Sequence, residues 1–467
     1  MENLDDQFYG KKLSALTTKF ENMLEEGSAL YYEVDDLDEL LEHYMVHHKL
    51  ELAFKVVEIA KNQYPGNQQL KIKEAELLSL TSKHREALDL LEEVEILENF
   101  NPEFHIAKAT VLSQCGEYHK AIDSLNLALD CASDEHDMIY MNLAVEYQNI
   151  ENYPKAVSFL KKALYADPTN EDALYELAYC FELSKNYSEA VSTFNKIIDQ
   201  APYNEHAWFN LGASYQALGE FDKALVAFDY VIVIDENFHA AYFNKANVLV
   251  RLKKYKDAIE LYKKALAFEI LDSLIFFYIG DCYDNLEDHR NALTWFEKAI
   301  KKDAEMADAW LGASSSLDML SRELEALEYA KKAIKIDPEN GDYWCFMAGL
   351  QVKYDLPNES INSFEKAIEH GYLLEDIWED YAQLCLSIKN DVRATSVVER
   401  GLELHQDNKT LQVYRSITLY RSNKEDEGFE ILVQVLMQEP KLIEEFIFFY
   451  PKGMELDEIQ FLIESMN

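Results

Sequence analysis

The amino-acid sequence predicts an all-α fold in which antiparallel helical hairpins repeat along most of the chain, and three observations predict it. Large and small residues recur with a period of 34. Within each period apolar residues fall at i, i+3, i+4 and i+7, the spacing of one helix face. Proline is confined to a few fixed places between the helical stretches, as expected of a residue excluded from helix interiors. The pattern is clearest from Trp208 to Glu236, WFNLGASYQALGEFDKALVAFDYVIVIDE. Trp208, Leu211, Gly212 and Tyr215 form one face, and after a break at Leu218-Gly219-Glu220 the residues Ala224, Phe228 and Val231 form the face of a second helix.

Taken in order, residues 1–33 precede the array. Phe8, Leu13, Leu16, Phe20, Met23 and Leu24 have helical spacing there, which predicts an N-terminal capping helix ended by Gly27. From Val34 to Leu442 the chain divides into twelve units of 34 residues with one extra residue, His136. The units start at Val34, Gln68, Pro102, Asp137, Glu171, Glu205, His239, Ser273, Ala307, Gly341, Glu375 and Lys409. Two helices approach closely only where side chains are small, and the twentieth position is small in every unit, from Ala53 to Gly428. The eighth is small in all but the first, where Leu41 stands. Four tryptophans, Trp208, Trp310, Trp344 and Trp378, occupy the fourth position. Pro65, Pro168, Pro202, Pro338 and Pro440 fall at position 32, between units; Pro102 opens a unit, and Pro154 and Pro357 lie in the turn within one. The last segment, 443–467, is predicted to end in a capping helix from Asp457 to Met466.

Composition sets bounds on function. With 48% hydrophobic residues, 28% charged, and only 14 Gly and 9 Pro, the chain is that of a folded, helix-rich protein. A net charge of -42, from 86 acidic against 44 basic residues, repels phosphate backbones and anionic lipid, so neither nucleic acid nor membrane is an expected partner. The start, MENLDDQFYGKK, lacks a basic region followed by an apolar run, and no stretch reaches the roughly 20 apolar residues of a membrane span; a cytoplasmic location is the expectation. Six cysteines (Cys115, Cys131, Cys180, Cys282, Cys345, Cys385) lie far apart with no CxxC pair, which reads as buried reduced thiols.

A 34-residue hairpin with large, small, aromatic, Ala, Phe and Ala at positions 4, 8, 11, 20, 24 and 27, and Pro at 32, resembles the tetratricopeptide repeat family. The resemblance runs from Val34 to Leu442. It is fullest in units four to nine, where Leu177, Ala178, Phe181, Ala190, Phe194 and Pro202 carry one unit, and Phe276, Gly280, Tyr283, Ala292, Phe296 and Ala299 another. Units two, three and twelve depart from it, with Lys71, His105 and Gln412 in place of the bulky fourth residue. The resemblance implies a right-handed α-solenoid, unbroken because no gap between units exceeds one residue, with a concave inner face.

In members of that family the inner face is lined from the first helix of each unit, near positions 2, 5, 6, 9, 12 and 13. Position 6 carries Asn142, Asn210 and Asn244, with Glu176 interrupting the series. An Asn amide both donates and accepts, so a ladder of them can hold a peptide backbone whatever its side chains. Long superhelical family members use such a ladder. Position 5 carries Met141, Tyr175, Phe209, Phe243, Phe277 and Leu311, which suggests an apolar groove beside the ladder, and Asn247 stands at position 9. The expected peptide site is therefore Asn142, Tyr175, Phe209, Asn210, Phe243, Asn244, Asn247 and Phe277. Two plainer readings stand beside it: asparagines that face water, and aromatics partly buried by neighbouring units.

The family's clamp for a C-terminal carboxylate, with Lys at position 5, is absent, which disfavours a chaperone-tail co-chaperone. Acidic residues at both ends of the array, Asp35, Asp38, Glu39 and Glu42, then Asp376, Glu379 and Asp380, favour a protein or peptide partner carrying Lys or Arg near its contact points. His43, His47 and His48 fit a helix end better than a metal site, and there is no HExxH, GxSxG, GxxxxGK[ST] or GxGxxG. The expectation is a non-catalytic interaction scaffold or adaptor, without cofactor or metal, that binds an extended peptide in its groove. The alternatives are a self-associating scaffold, using the apolar FIFFY of Phe446 to Tyr450, and a regulatory or co-chaperone subunit of an enzyme encoded elsewhere. Monomer and homodimer both remain open.

Overall fold

Asparagine just before a first helix fixes where that helix begins. The side chains of Asn67, Asn101, Asn170, Asn204, Asn340 and Asn408 each accept from a backbone N–H of the first turn, satisfying one of the donors that a helix start leaves unpaired. The computed structural model describes residues 2–133, 136–268 and 272–466, with side chains for 12–133, 136–267 and 272–464. The side chain of Phe8 lies outside the described residues. All regular structure among the described residues is helical. First helices such as Glu171–Ser184 and Glu205–Ala217 are each followed by a second, here Tyr187–Gln200 and Phe221–Ile234, and twelve such pairs recur along the described chain.

The turn inside each pair passes through one residue in the left-handed region, with φ between 53° and 76°. In chain order these are His48, Ser82, Gly116, Glu151, Lys185, Gly219, Lys253, Glu287, Ser321, Asp355, Lys389 and Asn423. The turn lets the next N–H reach back to the helix just ended, as Glu220 N does to Tyr215 O at 2.9 Å and Lys254 N to Leu249 O at 2.8 Å. Only two of the twelve are glycine, the residue that adopts this conformation without steric cost.

The molecule divides into two compact bodies, 1–241 and 242–467. In the first, the helix Glu2–Glu26 buries Leu16, Phe20 and Met23 with Leu37, Leu40, Leu41 and Tyr44. Further along, one core runs from Ala109 to Ala227. In the second body, one core is centred on Ala292, Phe296 and Met347 and another reaches from Ala348 to Leu462.

Small residues at positions 8 and 20 are where paired helices touch. A Cβ on Gly212 would stand 2.8 Å from the ring of Phe228, and one on Gly280 would meet Phe296 at the same distance. Where serine replaces alanine it uses its hydroxyl across the hairpin. Ser314 Oγ donates to Ala326 O at 2.7 Å, Ser360 Oγ to Ala348 O at 3.0 Å, and Ser416 Oγ to Gly428 O at 2.7 Å.

Position 4 has a second job besides packing. Trp208 Nε1 donates to Pro202 O, Trp310 Nε1 to Ala304 O and Trp344 Nε1 to Pro338 O, at 2.9, 3.0 and 2.9 Å, tying the helix to the carbonyl six residues earlier. In two units that lack the bulky residue the bond survives. Gln412 Nε2 donates to Gln406 O at 2.7 Å, and His105 Nε2 lies 2.9 Å from Asn99 O. Trp378 is the departure: it is buried, and among the described residues its indole N–H has no hydrogen-bond partner.

At the C-terminal end the short helix Ile443–Phe449 buries Phe446 and Phe449, while Phe448 stays 72% exposed. The FIFFY stretch is thus mostly core, with one outward ring. The helix Asp457–Met466 adds Ile459 and Leu462 to the same core. The cysteines are unpaired; Cys180, Cys282 and Cys385 are buried, but Cys115 is exposed, so the buried-thiol reading does not extend to it. His47 Nδ1 sits 2.8 Å from His43 O, a bond within its own helix end. No described helix is long and apolar enough to cross a membrane.

Candidate functional site

Two successive first helices, Glu171–Ser184 and Glu205–Ala217, build a concavity in the first body. Asn170 and Asn204 set their starts: Asn170 Oδ1 accepts from Ala173 N at 2.9 Å, Asn204 Oδ1 from Ala207 N at 2.7 Å, and Asn204 Nδ2 also donates to Pro168 O at 3.2 Å. Leu174 and Leu177 on one helix, and Ala207 and Leu211 on the other, are buried, which turns positions 5 and 6 toward the free face. The result is a cavity of about 580 Å³, within the size range of ligand-binding clefts.

Three of the sequence-predicted residues, Tyr175, Phe209 and Asn210, line this cavity together. Tyr175 is 71% exposed. Phe209 is half-buried, its ring 5.8 Å from Phe228 and 5.2 Å from Phe238. Asn210 is half-buried, and among the described residues its side-chain amide makes no hydrogen bond within the chain, so donor and acceptor are both available. Asn142, in the helix His136–Asn149 of the same body, is likewise half-buried with no side-chain partner among the described residues. Glu176, which interrupts the asparagine series, accepts from Gln148 Nε2 at 2.7 Å.

The other four belong to the second body. Phe243 packs against Tyr262 and Tyr278, with ring centroids 5.8 and 5.7 Å away, and Phe277 against Tyr278 and Phe296, at 5.5 and 5.7 Å. Position 5 is therefore partly a packing position, each ring leaning on the second helix of its own unit. Asn247 accepts from the Tyr262 hydroxyl, so its acceptor is already engaged, and Asn244 is half-buried.

The cavity has residues that the sequence reading passed over. Tyr179 (47% exposed) and Glu182 come from the first of the two helices, Tyr187 from the helix behind it, and His206 and Phe238 close the far side. Tyr179 and Glu182 stand at positions 9 and 12 of unit five, and the signal was present: those positions belong to the inner face. His206 meets Phe238 edge to face at 5.3 Å, and its Nε2 lies 4.0 Å from Glu171 Oε2. Burial first, then a hydrogen bond to Glu182, pushes the Tyr187 hydroxyl above its ordinary range, so it stays protonated. Aromatic faces, an open amide and rim carboxylates can hold a peptide. Among the described residues no cluster of three or more His, Cys, Asp or Glu has metal-holding geometry.

Comparison with known proteins bears on this repeat. Tetratricopeptide repeat models match residues 151–215, 206–238, 239–269 and 279–341 in succession. Cell division cycle protein 27 homolog A of Arabidopsis thaliana is 31% identical over 99 residues, which are 21% of this chain and 14% of that protein. The chain thus spans only about a seventh of the length of the curated relative it matches. Among solved structures, a chain of the APC/C hetero-tetramer Cut9-Hcn1 is 12% identical, with 89% of this chain and 95% of that one covered at a TM-score of 0.42. YrrB, described as a TPR protein with an unusual peptide-binding site, is 21% identical over 38% of this chain and 92% of its own, at a TM-score of 0.33. Repeat arrays of this kind bind proteins or peptides and are typically non-catalytic. The successive family matches, together with twelve helix pairs at the 34-residue spacing, establish that this chain belongs to the tetratricopeptide repeat family.

Proposed function

We propose that the chain is a non-catalytic scaffold of twelve repeats, flanked by terminal helical caps, that holds an extended segment of a partner protein along its inner face. The cavity of 171–240 is its anchor point. One observation carries the reading: Tyr175, Phe209 and Asn210 share that cavity, with the Asn210 amide unpaired among the described residues and Tyr175 open to solvent. Asn142 extends the site in the same body, and Phe243, Asn244, Asn247 and Phe277 continue the inner-face series in the second. The net charge of -42 favours a partner with Lys or Arg at its contact points, chiefly through faster encounter. Buried unpaired thiols at Cys180, Cys282 and Cys385 fit a cytoplasmic setting.

A photoreactive side chain in place of Tyr175, irradiated in the native cell, would label the bound segment and identify it. Asn210→Ala should then weaken that segment's affinity about tenfold. Unchanged affinity in the triple variant Asn142→Ala, Asn210→Ala, Asn244→Ala would sink the ladder.

Self-association is a second reading, favoured by the exposed rings of Phe448 and Phe461, 72% and 73% open in the terminal segment. Light scattering on Phe448→Glu tests it. A monomer before and after the substitution removes it.

A further inference from the structure

We propose that the cavity of 171–240 seats an arginine side chain of the bound segment. This inference rests on the groove reading above and narrows it to one chemistry. The rim carries three carboxylates, Glu171, Asp172 and Glu182, and no Lys or Arg lines the cavity. None of the three pairs with a Lys or Arg among the described residues; the single contact of Glu171 is the His206 ring at 4.0 Å.

The acidic stretch nearer the N-terminus differs in this respect. There Lys73 lies among Asp38, Glu42 and Glu76, reaching Glu76 Oε2 at 3.3 Å, so its charge is answered from within the chain. The cavity of 171–240 has negative charge at its edge and, among the described residues, no Lys or Arg that meets it.

The aromatic content decides between kinds of cation. Tyr175 and Tyr179 are both exposed, and a planar guanidinium stacks on such ring faces while presenting a fork of N–H donors to a carboxylate. A lysine ammonium offers only a point charge. Below the rim the lining is apolar: the half-buried ring of Phe209 is the part open to the methylene stem, with buried Leu174 and Phe181 behind it. Asn210 is then placed to bond the backbone of the segment that carries the arginine.

The test selects random phage-displayed peptides on the immobilised full-length chain, then measures fluorescence anisotropy of the recovered peptides. Arginine should be enriched over the input library. Replacing it by citrulline, which keeps the shape and removes the charge, should weaken binding about tenfold or more, and Glu182→Gln in the protein should weaken the arginine peptide but not the citrulline one. Gln keeps the shape of the Glu182 side chain, so the cavity wall stays intact. Peptides that need Tyr175, shown by their loss on Tyr175→Ala, yet lack arginine enrichment or tolerate citrulline, overturn the arginine seat and leave the groove reading standing. If no recovered peptide depends on Tyr175, both fall.

Discussion

Tyrosine is used in opposite ways in the cavity of 171–240 and in the stretch from Tyr343 to Tyr420. In the cavity, Tyr175 and Tyr179 stand open with their ring faces available. In the later stretch, Tyr343, Tyr381, Tyr414 and Tyr420 are buried, and each hydroxyl donates to a carboxylate: Asp308 at 2.6 Å, Glu365 at 2.8 Å, Glu445 at 2.7 Å and Glu458 at 2.9 Å. Asp308 and Glu365 belong to the hairpin before the one that carries the tyrosine, and Glu445 and Glu458 to the C-terminal helices Ile443–Phe449 and Asp457–Met466, so each bond ties one element to another. The same side chain offers an open ring face where it is exposed and acts as a staple between elements where its hydroxyl is claimed.

The contrast breaks most visibly at Tyr420. Tyr420→Ala removes a fully buried ring and leaves Glu458 without its donor; it should cost about 3 to 5 kcal/mol, read as a lower urea midpoint. A midpoint shift under a few tenths molar would mean the staple is ornamental. Tyr414→Phe keeps the ring and deletes only the bond to Glu445, for a cost of about 1.5 to 3 kcal/mol in the same measurement.

Alkali probes the same bonds from the other side. Burial first, and the neighbouring carboxylate next, raise the Tyr414 and Tyr420 hydroxyls well above their ordinary range. The folded protein therefore holds these protons more tightly than the unfolded chain does. Their contribution is fully present below the unfolded tyrosine value of about 10 and is lost as pH rises above it. Tyrosinate absorbance followed with circular dichroism should show the 341–467 region unfolding as these groups ionise, and the Tyr414→Phe, Tyr420→Phe double variant should blunt that step.

A smaller effect is expected at the turns. Ser321→Gly relieves a left-handed residue at about 1 to 2 kcal/mol but adds backbone freedom to the unfolded chain, for a net gain of about 0.5 to 1 kcal/mol in thermal or urea unfolding. Smallest of all, Tyr175→Ala should change stability by no more than about 0.5 kcal/mol while abolishing peptide capture. A large loss of stability there would make Tyr175 a packing residue and erase the contrast.

The repeat was legible because proximity leaves a mark in composition. Gly212 is small because a ring lies against it, and Pro202 sits where no helix runs. The left-handed turn was not legible, since Gly116 and Gly219 alone advertise it while Lys185 or Glu287 in the same place looks like an ordinary surface residue. Nor was the persistence of the position-4 bond, because His105 and Gln412 differ from tryptophan in every respect except an N–H that can reach the same carbonyl. Of the cavity, the sequence reading found Tyr175, Phe209 and Asn210. Its remaining wall joins positions 9, 12 and 17 of one unit to positions 2 and 34 of the next, and a reading that follows one position along the array does not see residues that meet diagonally.

The twelve left-handed turns carry a further consequence for how such a chain comes apart. Each repeat touches mainly its neighbours, so local stabilities combine along the chain rather than through one shared core. Eight of the twelve turns are held by residues other than Gly, Asn and Asp, and these are eight separate places where stability can be raised by a single substitution without touching either face of the array. Set in sequence, such changes would give the chain a graded profile, in which the first hairpin to open under force or denaturant is chosen by design.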